Sequence, residues 1–136
     1  MANLKVAIIG AGMGGLAAAA SLSRAGIDVL IYEQAPQFGR IGAGIQITPN
    51  ACRVLFRLGL EERLRDTAFQ AQRGRSREAR TGEINLDYEM GRAIEDRYAA
   101  PHLFLHRGDL HDALLSTVPS GILNALATCG AVMSSK

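Results

Sequence analysis

Gly10-Ala11-Gly12-Met13-Gly14-Gly15 follows directly on the apolar run Val6-Ala7-Ile8-Ile9. A second apolar run, Val29-Leu30-Ile31-Tyr32, is closed by an acid, Glu33. Glycines at this spacing do their chemistry through the backbone. Gly10 permits a tight turn out of a strand, Gly12 lets the chain approach a pyrophosphate, and Gly15 lets a helix pack closely on the sheet. The helix that opens here presents free N–H groups and the positive end of its dipole to phosphates. Glu33 is placed to accept hydrogen bonds from ribose hydroxyls. Strand, glycine turn, helix, strand and acid together form a dinucleotide-binding fingerprint. A glycine-rich loop that merely turned the chain would leave Glu33 unexplained.

The fingerprint needs elements that hold it. Residues 4–9 read as a buried parallel strand and 28–32 as a second one. Residues 13–25 read as an Ala- and Leu-rich helix stopped by Gly26. Residues 35–45 read as irregular. Thr48-Pro49 reads as an N-cap followed by a first-turn proline, opening a helix to Leu58 with Gly59 as its stop. Residues 61–66 form a short helical turn. Residues 69–75 and 83–88 flank Thr81-Gly82, and Ile84, Leu86 and Tyr88 alternate with polar residues. That pattern predicts an antiparallel hairpin solvated on one face. Residues 91–98 are compatible with a helix, and 102–106 with a short strand. Asp109 is placed to cap a helix running to Val118. Residues 122–128 fit either strand or helix.

The 136 residues amount to about one domain, and 48% hydrophobic content is ordinary for a globular chain. Fifteen basic and 13 acidic residues leave a net charge of +2, which argues for neither a nucleic-acid nor a membrane partner. Met1-Ala2-Asn3-Leu4-Lys5 runs straight into the first strand and does not read as a signal peptide. Cys52 and Cys129 stand alone, as reduced thiols of a cytoplasmic protein do. No ligand set completes a metal site around His102, His106 and His111. The basic run Arg73, Arg75, Arg77 and Arg80 is diluted by Glu78 and Glu83 and reads as a solvated hairpin.

Further segments carry a family resemblance. Gly10 to Gly15, Tyr32-Glu33-Gln34, Arg40 through Ile47, Pro49-Asn50-Ala51, Leu58-Gly59-Leu60 and His106-Arg107-Gly108-Asp109-Leu110 occur in an order and spacing that resembles the class A FAD-dependent flavoprotein monooxygenases. Among these, the salicylate, hydroxybenzoate and hydroxynicotinate hydroxylases are the most similar in pattern. The resemblance covers residues 4–119.

It implies an α/β fold: a Rossmann-like, glutathione-reductase-type FAD-binding domain with an incomplete parallel sheet and a small antiparallel hairpin insertion. It implies FAD as the bound dinucleotide, held by Gly10, Gly12, Gly14, Gly15, Glu33, Gln34, Arg40, Gln46 and Arg107, with NADH or NADPH as co-substrate. Arg40 and Arg107 match arginines that contact the ribose and diphosphate portions, where a guanidinium fork suits the oxygens. Gln46 matches a position facing the flavin and substrate, held by a histidine base in some relatives. An amide does not titrate, which favours the salicylate or hydroxybenzoate type over the hydroxynicotinate type. The implied reaction uses NAD(P)H and molecular oxygen to hydroxylate a small aromatic acid.

Two further motifs of the family, a mid-chain Asp-Gly and a later Gly-Asp, have no counterpart. No Asp-Gly pair occurs, and Gly108-Asp109 sits at a helix start. Residues 1–119 therefore read as the N-terminal part of an FAD-binding domain, and 120–136 as a divergent or truncated tail. Such a piece is expected to be inactive by itself, and no catalytic residue can be named in it. The alternatives are a non-catalytic dinucleotide-binding fragment and another FAD- or NAD-dependent oxidoreductase, since Glu33 alone does not separate FAD from NAD.

Overall fold

A computed structural model describes residues 4–35 and 43–125. In chain order the elements are β1 (Lys5–Ile9), α1 (Met13–Arg24), β2 (Asp28–Glu33), β3 (Gly44–Ile47), α2 (Pro49–Arg57), α3 (Glu61–Thr67), β4 (Arg73–Arg77), β5 (Ile84–Glu89), α4 (Gly91–Tyr98), β6 (Leu103–His106), α5 (Arg107–Leu115) and β7 (Leu123–Ala125). The chain divides into two compact units, residues 1–41 with 108–136, and residues 42–107.

The first unit is a parallel sheet in the order β1-β2-β7. Lys5 to Ile9 pair with Asp28 to Tyr32, and Ile31 to Glu33 pair with Leu123 to Ala125. Residues beyond Pro119, set apart in sequence as a tail, thus supply a strand. Leu16, Ala19 and Ala20 of α1 are buried, as are Val29 and Ile31 of β2. Small alanines at helical spacing bring α1 close to the sheet. The helix stops where expected: Gly26 takes φ +76 and its N–H bonds the Ser23 carbonyl.

β1 departs from the expectation of a buried strand. Its residues alternate between exposed and half-buried, and Ile9 is 74% exposed. Among the described residues it is an edge strand paired with β2 alone, and only alternate residues are sheltered. Hydrophobicity reports what a residue prefers to touch, not what is there to touch it.

The second unit holds an antiparallel pair, β3 with β6, from Gly44↔His106 to Ile47↔Leu103. Ile47, Leu103 and Leu105 turn inward, with Cys52, Leu55, Leu58, Leu60 and Leu64 of the α2–α3 region also buried. Burial raises the Cys52 thiol to about 11, so it is an inert packing group at neutral pH. The strand β3 lies partly in a stretch read as irregular, because its glycines hid a four-residue strand.

Pro49 does open α2, but Thr48 caps it through backbone conformation alone; its hydroxyl bonds the Asn50 side chain instead. Asp109 is not an N-cap either. α5 begins two residues earlier, at Arg107, which leaves Asp109 in the first turn, where its charge suits the dipole.

The hairpin pairs β4 with β5, Arg73↔Glu89 through Arg77↔Ile84, with an irregularity at Ser76/Arg77. Its first strand starts later than expected, and Phe69 instead makes an isolated bridge to Phe104. One face carries Arg73 and Arg75 against Asp87, with N–O separations of 2.9 and 3.2 Å. The other carries Tyr88, whose ring lies over Gly74, and Leu86, which is 54% exposed. Both faces of β5 are open to solvent among the described residues, not one.

Candidate functional site

The glycine turn leaves β1 at Ile9. Gly10 takes φ +97, a conformation side chains strain to adopt, and its N–H bonds the Tyr32 carbonyl at 2.7 Å. Ala11 is fully buried. Gly12 is the extended N-cap of α1, and the first intrahelical bond runs from the Leu16 N–H to its carbonyl at 2.9 Å. The N–H groups ahead of Leu16 therefore have no carbonyl within the helix. Gly12, as N-cap, has no side chain to bond them, and the first turn carries no acid that would compete with an anion.

The four glycines divide by function. A Cβ on Gly15 would lie 2.0 Å from the Gly10 carbonyl oxygen, so α1 can sit against the end of β1 only with glycine there. A Cβ on Gly12 or on Gly14 would meet nothing within 4 Å. The glycines with this room, Gly12 and Gly14, belong to the same helix start whose first N–H groups lack an intrahelical carbonyl. Room, unpaired donors and a dipole end are what a diphosphate requires, so the residues present fit a dinucleotide.

Glu33 ends β2 beside this turn. Its Oε2 accepts the Ala11 N–H at 2.6 Å and its Oε1 accepts the Ala35 N–H at 2.7 Å. Those two N–H donors, Ala35 first and then Ala11, hold its carboxyl below the ordinary value of 4.5. The carboxylate is thus ionised and fixed, with lone pairs remaining for hydroxyl donors. Gln34, next in line, is exposed. The structure therefore brings together Gly10, Gly12, Gly14, Gly15 and Glu33 of the expected residues.

Arg40 lies outside the described residues. In the second unit, Gln46 is exposed on β3 opposite Phe104, whose ring stacks on His102 at 4.9 Å. Arg107 opens α5 with its side chain exposed, and its N–H bonds the Ala43 carbonyl at 3.2 Å. Among the described residues no three His, Cys, Asp or Glu side chains gather as metal ligands. No helix among them is long and apolar enough to cross a membrane.

One contact at the turn was not legible in the sequence. His111, on α5, places Nε2 2.8 Å from the Ala11 carbonyl oxygen. The two residues are a hundred positions apart, and no spacing rule links them.

Comparison with known proteins agrees with this geometry. A family model described as FAD binding domain matches residues 3–114. The 3-amino-4-hydroxybenzoate 2-monooxygenase PtmB3 of Streptomyces platensis is 44% identical over 94% of this chain and 32% of its own length. The 6-hydroxynicotinate 3-monooxygenase of Pseudomonas fluorescens is 38% identical over 88% of this chain and 31% of its own. The 3-hydroxybenzoate 6-hydroxylase of Polaromonas naphthalenivorans is 40% identical over 84% of this chain and 28% of its own. The chain thus spans about a third of the length of the curated relatives it matches. Among solved structures, Klebsiella pneumoniae HpxO complexed with FAD and uric acid superposes with a TM-score of 0.77 at 26% identity, over 91% of this chain and 31% of that one. By its glycine turn, its α/β fold and a match over most of its length, the chain belongs to the FAD-binding domain family.

Proposed function

We propose that the chain is the FAD-binding N-terminal portion of an NAD(P)H-dependent monooxygenase that hydroxylates a small aromatic acid of the hydroxybenzoate class. The observation that carries the cofactor is the preformed turn: N–H groups at the start of α1 without an intrahelical carbonyl, space beside Gly12 and Gly14 that no described residue fills, and Glu33 fixed at its rim. The diphosphate sits at Gly12 and Gly14, and Glu33 takes the adenosine ribose. The family resemblance assigns Gln34, Arg40 and Arg107 to the remaining cofactor contacts and Gln46 to the flavin and substrate side. The aromatic substrate is supported by relatives that hydroxylate hydroxybenzoates and match most of this chain at about 40% identity.

The bound flavin supplies hydride acceptance and oxygen activation, chemistry no side chain can provide. The protein's own contribution here is to bind and orient. Gln46 holds and moves no proton, so this segment offers no base at that position. A reduced, cytoplasmic setting fits the buried free thiol of Cys52.

The test is to titrate the purified chain with FAD, following the quenching of flavin fluorescence and the visible spectrum. NAD(P)H oxidation is then assayed with hydroxybenzoates. Saturable FAD binding without hydroxylated product is expected. Absence of FAD binding would overturn the cofactor assignment, and product formation would overturn the reading of the chain as one portion of the catalyst.

A further inference from the structure

We infer that His111 is a positioning residue that locks the Ala11–Gly12 peptide in the orientation a diphosphate needs. The inference rests on the FAD reading and adds a residue that the glycine fingerprint does not contain.

The Ala11 carbonyl oxygen and the Gly12 N–H belong to one peptide group. No cis bond occurs among the described residues, so the two point in opposite directions. His111 Nε2 lies 2.8 Å from that oxygen. A carbonyl only accepts, so Nε2 carries the hydrogen and donates it. Anchoring the oxygen toward α5 turns the Gly12 N–H the other way, away from His111. On the preceding peptide, the Ala11 N–H is held at 2.6 Å by Glu33. Ala11 is therefore gripped on both sides, by an acid from β2 and an imidazole from α5.

Such a grip has work to do. Glycine at position 12 places little restraint on rotation of the peptide before it. If that peptide flipped, the Ala11 carbonyl would replace an N–H in the face offered to the phosphates. An oxygen lone pair against a phosphate oxygen repels. The helix that carries the imidazole is anchored, because Gly108, Leu110, Ala113 and Leu114 of α5 are buried, and His111 itself is half-buried.

The experiment compares His111→Met with His111→Gln. Both replacements suit a helix and have similar length, but only glutamine keeps an N–H donor at the reach of Nε2. FAD affinity is read by fluorescence quenching of the chain and melting by circular dichroism. His111→Met should weaken FAD binding about fivefold or more, and His111→Gln should stay within about twofold of the unaltered chain. Equal affinity in all three, or equal loss in both variants, overturns the inference and leaves the FAD reading standing. No FAD binding by the unaltered chain overturns both. A readout independent of any variant is the long-range 1H–15N spectrum of the imidazole ring. Hydrogen on Nε2 is expected, and a ring protonated on Nδ1 alone overturns the inference.

Discussion

A Cβ on Gly15 would lie 2.0 Å from the carbonyl oxygen of Gly10. The Gly10 carbonyl carbon lies 3.2 Å from the same point and the Ile8 Cγ2 methyl 3.3 Å, and the nearest of these atoms is backbone, which cannot move aside. Gly15→Ala should cost about 1–3 kcal/mol of stability, because the overpacked atom is backbone. A lowered thermal midpoint with weaker FAD binding is expected, and an unchanged midpoint would show that α1 slides freely.

Gly14→Ala tests the open side. The added methyl meets nothing within 4 Å. In the first turn of α1 it should leave stability unchanged or raise it by about 0.5–1 kcal/mol. FAD binding should nevertheless weaken, since the methyl enters space assigned to the cofactor. Tighter or equal FAD binding in this variant would move the diphosphate elsewhere.

Gly12→Val places a branched side chain beside the free N–H groups. Flavin retention should be lost while the far-UV circular dichroism spectrum is kept. Normal flavin content would remove the glycine turn from the site.

Glu33 makes stability depend on acid. Its carboxyl is held below 4.5 by the Ala35 and Ala11 N–H groups. A depressed folded value means the stabilisation is complete above the unfolded value and drains away as pH falls through the folded one. Thermal midpoints should therefore drop below pH 4.5 in the unaltered chain, by a larger margin than in Glu33→Gln. Parallel curves for the two proteins would show that the carboxylate contributes nothing there.

Arg107→Lys replaces a planar fork with a point charge. If Arg107 contacts the cofactor, FAD affinity should fall several-fold with no change in melting, as the side chain is exposed. Unchanged affinity in a titration would return Arg107 to the surface.

What the sequence made legible follows from how local each feature is. Gly10 and Gly15 are dictated by a backbone turn within six residues, so their spacing announces them. Glu33 follows because β2 pairs with β1 in register and ends beside the turn. The hairpin was legible from the alternation of Ile84, Leu86 and Tyr88, and Thr81-Gly82 marks its turn. Its exposure on both faces was not, because alternation says which face is apolar but not whether anything covers it. The same gap explains Ile9. In the sequence His111 suggests nothing but a metal ligand, since a contact to a backbone carbonyl leaves no trace in residue type at either end.

The order β1-β2-β7 also constrains how the first unit assembles. β2 is its middle strand, yet its two neighbours come from opposite ends of the described chain, with the whole second unit between them. One edge can zip up early through the short α1 crossover. The other must wait for a long loop to close, and long-range parallel pairing is slow. The strand that presents Glu33 is thus half-supported during folding and fully supported only at the end. Cofactor uptake should trail the appearance of secondary structure in refolding, and so report the last step of assembly rather than the first.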